Sequence, residues 1–457
     1  MKRRRIWGGF SCLLSALVAL GTAWPSADYV FGQAEAAPAE TPAVTEQPQL
    51  PPEIQKQVEE AVALFNKSDV PGALAVLKAI YAAAPQTNPP RLIMATWFAQ
   101  LKNQKAVLAS LEMATEETPD DPEAWLLLGE IAYSQGSLTA AELLFQRAES
   151  LITNYSANAE RQKALRVKLL NDKVNLSQTR GRWDQMQVAL GSLIKEQGES
   201  AELSRRVALS FFQKNEDDSA RKWLLHADKQ SGGKGLPADA VMARFYLGRS
   251  DLEKAKASLD AALAAHPDSP EVLSLSLMMA LNENDLARAA SSADKLLAQS
   301  PESVDVLKNC GSVALFQGDF AKAEQLFQQA VNKAPADMDA VNGLALAMCE
   351  QNDAEKQKTA TQYAATNVQK QSNNRDFLGT LGWTLYRAGN KEAAKEVLQQ
   401  SMAGGQINAA VAYYLAVLLN DEGQTDQAKQ LLTAAVGTKP PFFKRAAATE
   451  LLNSLGK

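Results

Sequence analysis

Helix-breaking and small apolar residues recur along this chain on a single interval. Pro85 and Pro119 lie 34 residues apart, and Pro267, Pro301 and Pro335 repeat that spacing twice. Pro119 to Pro267 is four such periods plus twelve residues, and Pro335 to Pro440 is three periods plus three. The register set by these prolines places repeat starts at Ile54, Asn88, Pro122, Val167, Ala201, Leu236, Pro270, Val304, Met338, Arg375 and Ala409, eleven in all. The largest insertion, eleven residues, precedes Val167, and three more residues fall around the ninth repeat. Position 8 of the repeat holds Ala61, Ala95, Gly129, Ala208, Ala243, Gly311, Ala345, Gly382 and Ala416, with Val174 and Leu277 as departures. Position 20 holds Ala73, Ala141, Ala220, Ala255, Ala289, Ala323, Ala394 and Ala428, while the ninth repeat shows Gln357 unless its insertion brings Ala360 into register. Small residues at two fixed places mark where two helices cross too closely for longer side chains. Between them sits a breaker, read as Asp69, Gly136, Gly181, Gly318, Gly389 or Gly423. Glycine ends a helix in left-handed backbone at little cost, and the proline at position 32 stops the second helix. Each repeat therefore reads as two helices and a tight turn.

The apolar signature sharpens this reading. Trp125-Leu126-Leu127-Leu128-Gly129 followed by Ala141-x-x-x-Phe145 is the fullest copy. Cys310-Gly311 with Ala323-x-x-x-Phe327 and Pro335, and Leu381-Gly382 with Ala394, are partial ones. A 34-residue period carrying W-x2-L-G and A-x3-F resembles the tetratricopeptide repeat (TPR) family. The resemblance covers most of the chain and implies an all-α, right-handed superhelical solenoid over residues 54–442. Residues 443–457 read as a capping helix, with Lys444, Arg445, Glu450 and Asn453 as its polar outer face, because a repeat array must cover its last open core.

Composition narrows the chemistry. Of 457 residues, 46% are hydrophobic but only 7% aromatic, and Ala, Leu, Gln, Glu and Lys bias the chain towards helix. The formal charge of −5 leaves no electrostatic drive towards nucleic acid. Three cysteines exclude a disulfide-dense scaffold, and two histidines exclude His-rich metal sites. Cys310 and Cys349 read as two buried thiols. His226 and His266 have no ligand-spaced partner, Ser231–Gly235 lacks phosphate-loop spacing, and no nucleophile, base and acid converge. The expectation is a protein that is not an enzyme and takes no cofactor.

The N-terminus reads M-K-R-R-R before an apolar run from Ile6 to Ala23. This is the layout of a secretory signal over residues 1–36, with Ala34-Glu35-Ala36 as the cleavage box and Ala37 as the new start; an uncleaved membrane anchor is the alternative. Removing those residues leaves a charge of −7. Residues 37–53, rich in Pro, Ala and Glu, read as a disordered linker. The chain is thus expected outside the cytoplasm, periplasmic or secreted, or anchored in the inner membrane.

The resemblance implies that first helices line a concave groove through positions 2, 5, 9 and 12. Those positions include Lys308, Asn342, Trp383, Tyr386 and Tyr413. Positions 9 and 12 share a helix face, and position 5 of the next repeat lies beside them, so Trp383, Tyr386 and Tyr413 would form an aromatic wall able to anchor an apolar side chain. A polar set, Asn171, Asn175, Arg205, Arg206 and Arg244, partly resembles the carboxylate clamp of some TPR proteins without its residue order. The function read from these residues is a non-enzymatic adaptor of the bacterial cell envelope that holds proteins or peptides. The alternative is a structural component of an envelope assembly or secretion apparatus, contacting partners through its outer faces.

Overall fold

The computed structural model describes residues 52–456 apart from residue 86, residues 404–407 and residues 439–440. The expected signal segment, and the linker up to residue 51, lie outside the described residues. Regular structure among the described residues is entirely helical. The helices are α1 (Pro52–Asn66), α2 (Val70–Ala83), α3 (Pro90–Gln100), α4 (Gln104–Glu117), α5 (Pro122–Ser134), α6 (Leu138–Asn154), α7 (Ala159–Thr179), α8 (Trp183–Gln197), α9 (Ala201–Gln213), α10 (Asp217–Gln230), α11 (Ala238–Gly248) and α12 (Leu252–Ala265). They continue as α13 (Pro270–Asn282), α14 (Leu286–Gln299), α15 (Val304–Gln317), α16 (Phe320–Lys333), α17 (Met338–Cys349), α18 (Ala354–Lys370), α19 (Arg375–Arg387), α20 (Lys391–Met402), α21 (Ala409–Asp421), α22 (Thr425–Gly437) and α23 (Arg445–Leu455). Odd-numbered helices up to α21 are the first helices of eleven pairs, and seven of them begin on the expected residue itself.

Of the other four, α1, α3 and α11 start within a few residues of expectation, and α7 starts well before Val167. The inserted residues are not a loop; they lengthen α6 to 17 residues and α7 to 21. The extra turns of α7 carry Arg161 onto the start of α5. There Nη1 lies 2.7 Å from Asp121 Oδ2 and Nη2 lies 2.6 Å from Glu123 Oε2. Burial works against this guanidinium's charge, but the two carboxylates outweigh it and raise its pKa.

The turn inside each repeat uses two adjacent positions. Position 15 takes left-handed backbone in ten repeats: as glycine at 136, 181, 318, 389 and 423, and as Ser68, Lys102, Asn215, Ser250 and Asn284 in the others. Position 16 then often caps the second helix. Asp69, Asn103, Asp285, Asp319 and Asn390 each accept a bond from a backbone N–H of the first turn. Asp69 is therefore not the breaker; Ser68 is, with Asp69 the cap beside it.

Packing explains the small residues. A β-carbon placed on Gly129 would come within 2.5 Å of the Phe145 ring, on Gly311 within 2.9 Å of Phe327, and on Gly382 within 2.6 Å of Leu398. Position 8 thus receives the position-24 side chain of its own repeat. Ala360, fully buried, takes the position-20 role in the ninth repeat, and Gln357 stays half-buried. The chain divides into two compact units: one runs to residue 234 and includes residues 244–252, and the other comprises residues 235–243 and 253 onward. In each, the core is a row of local clusters between successive helices. Examples are Leu92, Val107, Leu111 and Leu127 in the first unit, and Leu273, Leu296, Leu307 and Leu326 in the second.

Candidate functional site

In both units, contacts between successive first helices follow one rule. Position 12 of a repeat meets position 13 of the next: Tyr133 Oη lies 2.7 Å from Thr179 Oγ1, and Tyr386 donates to Asp421 Oδ2 at 2.7 Å. Position 9 meets position 6 of the next: Arg206 donates to Asn175 Oδ1 at 2.6 Å, and Trp383 stacks on Tyr414 with ring centroids 4.5 Å apart.

In the first unit this face is polar. Lys168 pairs with Glu130 at 2.8 Å. Asp172 faces the same Glu130, and its pKa is raised by burial first and then by the Glu130 charge, with Lys168 opposing. The Oδ2 atom of Asp172 is buried without a hydrogen-bond partner. Of the five residues read as a partial clamp, Asn175 and Arg206 come together. Burial pulls the Arg206 pKa down, with Glu202 the main opposing charge. Asn171 donates to Val167 O in its own helix at 3.0 Å, and Arg205 turns towards Asp228, 3.9 Å away on α10. Arg244 is half-buried, and burial lowers its pKa as well. The sequence order hid this arrangement, because position 6 was not counted among the groove positions.

In the second unit the face is aromatic. Trp383 stacks on Tyr386 at 5.2 Å and lies 6.0 Å from Tyr413. The three residues do assemble, but they are not an open wall: Trp383 is 3% exposed, Tyr413 is 8% exposed, and only Tyr386 is half-buried. Trp383 is covered by Tyr386 and Tyr414 of the repeats themselves, and the segment before α23 adds to the cover of Tyr413. Phe442 lies 6.4 Å from Tyr413, and Lys444 reaches Glu350 Oε2 at 2.6 Å. Glu350, at the end of α17, also accepts from Trp383 Nε1 at 2.8 Å and from Arg387 at 3.0 Å. Its side chain is 2% exposed. Burial raises the Tyr413 pKa to about 12, and burial followed by Asp421 raises that of Tyr386.

Lys444, read as part of an outer polar face, is therefore turned inward, and Arg445 donates to Val436 O and Thr438 O at the C-terminal end of α22. Glu450 and Asn453 are exposed. Lys308 is held by Asp337 at 2.7 Å and Asp305 at 3.1 Å; burial opposes its charge, but the carboxylates prevail and raise its pKa. Asn342 is half-buried, with Oδ1 unpartnered. Cys310 and Cys349 are buried free thiols, and burial pushes Cys310 up to about 11. Among the described residues no group of three His, Cys, Asp or Glu is placed to hold a metal ion, and no helix is long and apolar enough to cross a membrane.

Comparison with known proteins bears on the repeat itself. A family profile described as tetratricopeptide repeat matches residues 104–159, 241–304 and 380–441, and a second with the same description matches residues 280–348. No curated protein sequence matches the chain significantly. Solved structures similar to it include a tetratricopeptide repeat protein from Parabacteroides merdae, at 15% identity and TM-score 0.44, covering 56% of this chain and 99% of that one. PilW, described as a widely conserved type IV pilus biogenesis factor, is 24% identical with a TM-score of 0.37, covering 48% of this chain and 98% of that one. Pseudomonas aeruginosa pilF is 20% identical with a TM-score of 0.34, covering 48% and 95%.

Proposed function

Since the chain belongs to the tetratricopeptide repeat family, we propose that it is a non-enzymatic adaptor that binds extended segments of other proteins along its first helices, in a bacterial cell envelope. The observation that carries this reading is the ladder of first-helix contacts. It holds the Glu130, Asn175 and Arg206 side chains of one unit, and the half-buried Tyr386 side chain of the other, in fixed geometry before any partner arrives. Preformed donors and ring faces bind with little ordering cost. The basic N-terminus and the apolar run after it support export.

The test uses a photoreactive side chain placed either at Gln178, position 12 of the fourth repeat, or at Val188, a 72% exposed residue on the second helix α8. Adducts from Gln178 and none from Val188 are the expected outcome. Adducts from Val188 alone would favour a structural component gripped through its outer faces. For localisation, a reporter fused after Ala37 should accumulate outside the cytoplasm. Recovery of an intact Met1–Arg5 segment in membranes would decide for the anchor.

A further inference from the structure

We propose that the first-helix face of the last three repeats is a binding site for an extended segment bearing two adjacent aromatics followed by a basic residue, and that the chain's own Phe442-Phe443-Lys444 occupies it as an internal ligand until such a partner displaces it. This deepens the adaptor reading and rests on it.

A terminal cap needs to cover only the repeat before it, and α23 does so: Ala448 is fully buried, and Leu451 and Leu452 pack on the same core. The residues just before α23 do something a cap does not require. Lys444 bypasses the eleventh repeat and places its Nζ on Glu350, 94 residues earlier in the chain, at 2.6 Å. The same ammonium lies 5.0 Å from the Phe320 ring and 5.2 Å from Phe443. Phe442 sits against Tyr413, a groove position, and Arg445 lies over Phe442 at 5.2 Å.

The site's chemistry matches this occupant feature by feature. Tyr413 receives a ring, Phe442 lying 6.4 Å from it, and Trp383 backs Tyr413 from the preceding repeat. Glu350, buried and already bonded to Trp383 and Arg387, receives the cation. A buried carboxylate with an open lone pair recognises a lysine or arginine far better than a neutral side chain. A cavity of about 810 Å³ opens beside Phe443, between Leu286, Phe316 and the Glu450 and Asn453 face of α23. It gives an incoming segment room to engage before the internal one leaves.

The experiment uses the full chain and a fluorescent peptide of its own residues 438–445 (T-K-P-P-F-F-K-R). Tethering keeps the internal copy at millimolar effective concentration, so the wild type should bind this peptide weakly. Lys444→Glu sets a like charge against Glu350 and should tighten peptide binding by about tenfold or more. Adding Glu350→Gln should abolish that gain, as should a peptide whose Phe-Phe-Lys is changed to Phe-Phe-Glu. Hydrogen exchange in the residues preceding α23 should rise together with the affinity. Lys444→Ala, which removes the ion without adding repulsion, serves if the first variant fails to fold, and it should shift affinity in the same direction. Unchanged peptide affinity in a variant that still melts cooperatively overturns the proposal and leaves the tail a structural cap. That outcome alongside Gln178 adducts would sink the internal ligand alone. Missing Gln178 adducts would instead count against the adaptor reading, whatever the peptide does.

Discussion

Glu350 shows how one residue can gather distant parts of the chain. It accepts bonds from Trp383, Arg387 and Lys444 in a site that water barely reaches. Truncating a buried side chain in such a network removes packing and leaves a charge underpartnered. Trp383→Ala should therefore destabilise the fold by about 3–5 kcal/mol, as deletion of a large buried aromatic does. Ala394→Leu, which forces a larger side chain into the crossing under Gly382, should cost about 1–3 kcal/mol. Denaturant melts of the two variants decide: a Trp383→Ala loss well below that of Ala394→Leu would mean that the ring is not core. The Glu130–Asp172 pair gives a second prediction. Its sign follows from the raised Asp172 pKa. A carboxyl that holds its proton more tightly in the folded chain contributes stability at low pH, and loses it as pH rises from the ordinary carboxylate range through the folded value. Asp172→Asn should thus raise the melting temperature more at about pH 9 than at about pH 5. An equal shift at both pH values would exclude that protonation.

At the scale of the element, the two-residue turn decides where each pair of helices bends. Position 15 is left-handed whether or not it is glycine, and Lys102 sits there with φ 55°. A side chain in that region costs about 1–2 kcal/mol relative to right-handed backbone. Lys102→Gly should recover about 0.5–1 kcal/mol, and Gly318→Ala (φ 77°) should lose a similar amount. Thermal melts of the two variants should move in opposite directions; movement in the same direction would mean that the turn conformation is not what these positions contribute. The long α7 belongs to this scale too. Its added turns carry Arg161 to Asp121 and Glu123, so the insertion ties α7 to α5 where a loop of equal length would not.

For the whole molecule, a row of local cores makes folding modular. A chain ending after Ala334 closes the eighth pair of helices. One ending at Gln325 removes Phe327, which lies against both Gly311 and Gly343. The first should give a helical circular dichroism spectrum and a cooperative melt, and the second should be markedly less stable. Equal loss in both would mean that the repeat boundaries are wrong.

The helix pairs, their register and the small residues at their crossings were legible in the chain, because period, proline and glycine act through local backbone geometry. The face carrying Trp383, Tyr386 and Tyr413 was legible for the same reason: three residues along a helix share a side. That Lys444 turns back onto Glu350, that Phe442 covers Tyr413, and that Asp172 meets Glu130 were decided only in three dimensions. The Lys444–Glu350 contact spans two whole repeats, which no repeat spacing encodes, whereas Asp172 and Glu130 follow the position 9 to position 6 rule that only the packed helices revealed. Trp383 is buried by its stacking on Tyr386 and Tyr414, while the tail adds Phe442 over Tyr413 and Lys444 beside Glu350.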